Sequence, residues 1–139
     1  MGIEKHLIGG RQTRQIPAPI IDFSGLWTNR LGSEMDLTMA DGKITGKYRT
    51  AVGDPTPTEE FELCGFVSGD LITFTVNFGK YDSLTAWTGQ HTVEKGIETI
   101  YTLWHLAKNI RDEDEPKLLW AGILTGANTF VRREQKETV

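Results

Sequence analysis

Read along the chain, apolar and polar residues alternate in short runs, and turn residues punctuate them. The runs are 25-GLWTNRL-31, 34-EMDLTM-39, 43-KITGKYRTAV-52, 59-EEFELCGFV-67, 71-LITFTVNF-78, 84-LTAWTGQHTV-93, 97-IETIYTLWHLA-107 and 118-LLWAGILTGANTFV-131. Gly32, 40-ADG-42, 53-GDPTPT-58, 68-SGD-70, 79-GKYD-82, 94-EKG-96 and 111-RDEDEP-116 separate them. A period of two bounded by Gly, Pro, Asn and Asp is the mark of strands joined by turns. No stretch of ten or more residues keeps a 3.6-residue period free of β-branched side chains, so helix is not expected. Eight sequential strands with mostly short connectors predict an all-β fold, an antiparallel up-and-down meander closed into an eight-stranded β-barrel.

Alternation also phases each strand. In 71–78 the apolar set Ile72, Phe74, Val76 and Phe78 should face inward. In 97–107 the inward set is Ile100, Thr102, Trp104 and Leu106, and near the start it is Trp27, Asn29 and Leu31. Lys43, Lys47 and Arg49 must face water, which turns Ile44, Gly46, Tyr48 and Thr50 inward. In 83–91 one face carries Ser83, Thr85, Trp87 and Gly89. The predicted interior therefore mixes indoles with hydroxyl and amide groups. A buried polar group without a partner costs about 1–3 kcal/mol, so a barrel built only for stability would avoid them. Aromatic walls with a few converging polar groups describe a small-molecule site.

The length of 139 residues fits one domain that buries roughly 65–70% of its unfolded surface. Residues 1–22 read as an N-terminal arm, because 16-IPAPI-20 disfavours helix and lacks amide donors; 23–132 read as the barrel and 133–139 as a C-terminal tail. A formal net charge of −4 argues against nucleic acid. No apolar run is long enough for a membrane helix, and 1-MGIEKHLIGGRQTRQ-15 has no continuous apolar core of a signal peptide. A complete chain of this kind would be cytoplasmic and a processed one extracellular. The single cysteine, Cys64, excludes an intrachain disulfide and a multi-thiolate metal site, and is expected as a small buried or half-buried side chain. His6, His91 and His105 share no motif, and HExxH, P-loop and GxSxG patterns are absent, so catalysis is not expected; an inward His91 reads as a core residue. Tyr101, Leu103 and His105 on the outer face, beside 118-LLWAGIL-124, predict an apolar patch of the kind that marks a partner interface.

The ordered stretches 25-GLWTNRLGSEMDLT-38, 46-GKYRTAVGD-54, 84-LTAWTGQ-90, 99-TIYTLWHL-106 and 120-WAGILTGANTF-130 together resemble the avidin and streptavidin family of biotin-binding proteins. The resemblance runs from about Gly25 to Phe130. It implies biotin as ligand, with no cofactor, no metal and no enzymatic activity. Asn29, Ser33 and Tyr48 match the family's donors to the ureido oxygen; Thr50 and Asn128 match the acceptors of the two ureido N–H groups. Thr85 matches the hydroxyl that meets the thioether sulfur, and Ser83 falls near the contact to the valerate carboxylate. Trp27, Trp87 and Trp104 match the apolar box around the bicyclic rings, and Val52 and Leu106 belong to the same implied ligand set. Trp120 matches the tryptophan that the family lends to a neighbouring subunit, which implies a homotetramer built as a pair of dimers, with a homodimer as the alternative.

The chain departs from the pattern at Phe78, where streptavidin-like members carry a further tryptophan, and at Asp54, where an uncharged Asn is common. The connector 79-GKYD-82 looks short. Tight binding with faster release is the expectation. The rival reading is a lipocalin-like barrel for another small hydrophobic ligand. A third is an interaction module without a ligand.

Overall fold

The computed structural model describes residues 20–51, 58–115 and 117–133. Its strands are β1 (Gly25–Asn29), β2 (Glu34–Ala40), β3 (Lys43–Arg49), β4 (Phe61–Ser68), β5 (Leu71–Phe78), β6 (Ser83–Glu94), β7 (Ile97–Lys108) and β8 (Ile123–Arg132). Each pairs antiparallel with its neighbour in sequence, and β8 returns to β1 through Trp27↔Arg132 and Asn29↔Phe130, closing an eight-stranded barrel.

Side-chain parity follows the alternation of the sequence. Leu37, Ile44, Leu63, Ile72, Phe74, Val76, Ile100 and Phe130 fill the interior, and Phe23 and Trp27 are fully buried with them. Cys64 is exposed, contrary to expectation. Phe61 and Leu63 are the inward residues of β4, so Cys64 faces out between Thr45 and Thr75.

The two ends of the barrel differ. At one end β2–β3, β4–β5 and β6–β7 are joined by two-residue turns, with positive φ at Asp41, Gly42, Gly69, Lys95 and Gly96. Such turns match the twist of paired strands. A charged network lies at this end. His91 is buried, meets Phe23 and Trp27 edge to face, and hydrogen-bonds Glu98 at 3.0 Å. Arg132 donates to Glu98 and to the Ser24 and Asp22 carbonyls, with its guanidinium 4.4 Å over the Trp27 ring. The other end carries the longer connectors, and side chains have left a cavity there.

Among the strand boundaries that move from the sequence expectation, those of β1, β3 and β8 are tied to particular contacts or turns. β1 stops at Asn29 because its side-chain carbonyl accepts the Leu31 and Ser33 amides and forces a turn. β3 ends at Arg49, and Ala51 is held instead by a hydrogen bond from its amide to Ser33 Oγ. Residues 118–122 do not extend β8: Leu119–Gly122 form a 3-10 turn, and the strand begins at Ile123.

Candidate ligand-binding site

The open end of the barrel holds a cavity of about 520 Å³. The sequence-expected residues Asn29, Ser33, Tyr48, Thr50, Phe78, Ser83, Thr85, Trp87, Trp104, Leu106 and Asn128 all line it. Val52 and Asp54 lie outside the described residues. Trp27 is not in the wall; it sits in the closed-end network, with its Nε1 donating to the Phe23 carbonyl. Trp120 does not line its own chain's cavity and is 83% exposed.

Three polar side chains meet at one side. Asn29 Oδ1 already accepts the Leu31 and Ser33 amides at 3.1 and 3.0 Å, so its NH₂ is what remains for the cavity. Ser33 Oγ accepts the Ala51 amide at 3.0 Å, which leaves the hydroxyl hydrogen to donate. Tyr48 is buried, and burial pushes its phenol above the ordinary value of 10.0; hydrogen bonds from Ser33 and Asn29 oppose the shift without reversing it. The phenol is therefore protonated at neutral pH. Asn29, Ser33 and Tyr48 thus form one hydrogen-bonded cluster, and their donor hydrogens, shared among themselves here, can turn to an acceptor oxygen placed between them.

Acceptors stand beside these donors, with Asn128 on β8, the strand paired with β1. Asn128 Oδ1 accepts from Trp87 Nε1 at 3.1 Å, and a carbonyl oxygen has a second lone pair to offer. Thr50 adds a hydroxyl to the lining. Thr85 Oγ1 is buried with no hydrogen-bond partner among the described residues. Such an orphan costs about 1–3 kcal/mol and is the mark of a site that awaits a polar atom.

Rings supply the walls. Trp87 stacks on Phe74, with centroids 5.0 Å apart and planes at 14°, and lies 5.3 Å from Tyr48. Phe78 meets Tyr48 edge to face at 5.9 Å and Phe61 at 4.7 Å. Trp104 packs closely against Gly126 of β8, where a Cβ would overlap the indole.

Four lining residues escaped the sequence reading of the site: Leu31, Tyr81, Lys108 and Leu124. Leu31 was already phased inward with Asn29 but not assigned to the ligand, and Lys108 continues the alternation of Trp104 and Leu106, so it could have been found by extending the count by two. Tyr81 sits in the β5–β6 connector, which has no period; its hydroxyl donates to Glu59 at 2.7 Å and its ring packs on Phe61. No group of His, Cys, Asp and Glu among the described residues could hold a metal ion.

The model of the avidin family matches residues 18–133. The chain belongs to the avidin family. Avidin from Gallus gallus is 34% identical over 126 residues, covering 83% of this chain and 81% of that protein. The solved structure of xenavidin superposes with a TM-score of 0.68 at 34% identity, covering 80% of this chain and 97% of that one. A rhizavidin–biotin complex superposes with a TM-score of 0.70 at 29% identity, covering 86% and 100%. Avidin-family proteins are binding proteins and not enzymes.

Proposed function

We propose that this avidin-family chain binds and sequesters biotin in the open end of its barrel. The observation that carries the reading is the convergence of Asn29, Ser33 and Tyr48, a cluster whose donor hydrogens can all be turned to one acceptor. A urea oxygen would accept from all three. Three donors on one oxygen favour the polarised form of the urea, and that raises the acidity of its two N–H groups, which Thr50 and Asn128 would accept. The sulfur-bearing ring then lies against Thr85, and Trp87, Trp104, Phe78 and Leu106 enclose the rings and the tail. Because these groups are fixed before the ligand arrives, little ordering entropy remains to be lost on binding.

A lipocalin-like barrel has no use for such a cluster. Thermal unfolding with biotin and, separately, with a fatty acid distinguishes the two. The biotin reading expects a large rise in Tm with biotin alone, since a ligand that binds only the folded state stabilises it; a rise with the fatty acid alone would favour the rival.

The outer face of β6–β8 supports an oligomer. Leu84, Tyr101, Leu103 and Ile123 are exposed there, and Trp120, in the turn just before β8, is exposed as well. Apolar area of this kind asks for a cover, and a second copy of the chain is the simplest. The assembly we favour is a homotetramer built as a pair of dimers, in which Trp120 of one subunit closes the cavity of another; a homodimer is the alternative. Light scattering of the wild type and of Trp120→Lys is the test, with looser assembly and faster biotin release expected together in the variant.

A further inference from the structure

Among its described lining residues the cavity is almost free of formal charge. Of its described lining residues only Lys108 is ionised at neutral pH. Lys108 is the last residue of β7 and shares the inward parity of Trp104 and Leu106, opposite Ser83 of β6. Two residues of strand, about 7 Å, carry it from Leu106 in the apolar wall to the rim. It makes no ion pair among the described residues. Its backbone is held: Gly122 packs on the Lys108 carbonyl so closely that a Cβ there would overlap it, and the next amide, Asn109 N–H, donates to the Asp82 carbonyl at 2.9 Å.

The described cavity wall thus passes from donors and acceptors at the inner end, through aromatic rings, to the Lys108 cation at the mouth. A ligand that matches this order has a polar ring head, an apolar stem and an anionic end. In a chain of net charge −4 that cation also offsets repulsion of an anion at the entrance. We propose that Lys108 reads the tail of the ligand: its ammonium pairs with the carboxylate of a free acid, so the pocket prefers free biotin to biotin joined through an amide to an amine or a protein. The proposal rests on the biotin reading. It adds a specificity that the ureido and ring contacts lack, since those are identical in the acid and the amide.

The test compares release of tritiated biotin and tritiated biotin amide, each chased with unlabelled biotin, from the wild type, Lys108→Met and Lys108→Arg at low and high salt. A half-exposed ion pair predicts that the wild type holds the acid about 3- to 10-fold longer than the amide at low salt, with the ratio shrinking as salt rises. Lys108→Met should bring the ratio close to one by speeding release of the acid while leaving the amide unchanged, and Lys108→Arg should restore most of it. If the wild type retains both ligands with a ratio that Lys108→Met does not alter, the tail-reading role is overturned and the biotin reading stands. If the wild type retains neither, both are overturned.

Discussion

Trp104 lies across the β7–β8 pair directly on Gly126, in space that only a missing side chain leaves open. The indole forms part of the cavity wall, so a β8 backbone position controls the shape of a site built mainly from other strands. Gly126→Ala should tilt Trp104 into the cavity, destabilise the barrel by about 1–3 kcal/mol and speed ligand release. Crystallography of the variant with paired off-rate measurements checks it.

The unpartnered Thr85 hydroxyl makes an opposite prediction for stability and for binding. Thr85→Val keeps the shape and removes a buried polar atom without a partner. The free protein should unfold at the same or a higher temperature, by up to about 1 kcal/mol, while biotin release becomes faster. A variant less stable when free and unchanged in binding would show that the hydroxyl serves the fold.

The donors Asn29, Ser33 and Tyr48 share one acceptor, so their substitutions should not add. Tyr48→Phe and Ser33→Ala should each weaken binding by about 1–3 kcal/mol, and the double variant by an amount different from the sum. A double-mutant cycle measured by competition with biotin reads the coupling.

At the closed end Glu98 gives a pH dependence. Burial acts to raise its carboxyl, but hydrogen bonds from Arg132 and His91, with the Arg132 charge, outweigh it and hold the group below its ordinary 4.5. A carboxylate with a lower pKa folded than unfolded contributes stability at pH above the unfolded value. That contribution is lost as pH falls through the folded one. Tm should therefore drop as pH is lowered below about 4.5, and Glu98→Gln should be less stable at neutral pH with a flatter acid limb. Arg132→Lys keeps the charge but not the fork, and should cost about 1–3 kcal/mol at neutral pH.

Phe78 stands at the cavity mouth beside Phe61 and Tyr48. A larger ring there would cover more of the ligand's tail, and Phe78→Trp should slow biotin release by about 3- to 10-fold. Stopped-flow or radiolabel chase measurements decide it.

The barrel and most of the cavity were legible because every strand has one wet face: Lys43, Lys47 and Arg49 fix the phase of β3, and through it Tyr48 and Thr50 point inward. What escaped depends on contacts between distant segments. Nothing local says that Leu119–Gly122 leave the strand pattern, and the close fit of Gly122 there is against Lys108, fourteen positions earlier. The cluster of His91, Glu98 and Arg132 joins three strands and has no spacing to betray it. Tyr81 reaches the cavity from a connector, where side-chain direction follows no period.

The central claim is that the open end of the barrel binds biotin. Protein unfolded, dialysed and refolded to strip any ligand acquired during expression should be titrated with biotin in a calorimeter. The account predicts one biotin per chain, with an affinity too tight to resolve in a direct titration. Absence of heat and of any Tm shift, in material shown to be folded, would contradict it and leave the donors of Asn29, Ser33 and Tyr48 to another acceptor.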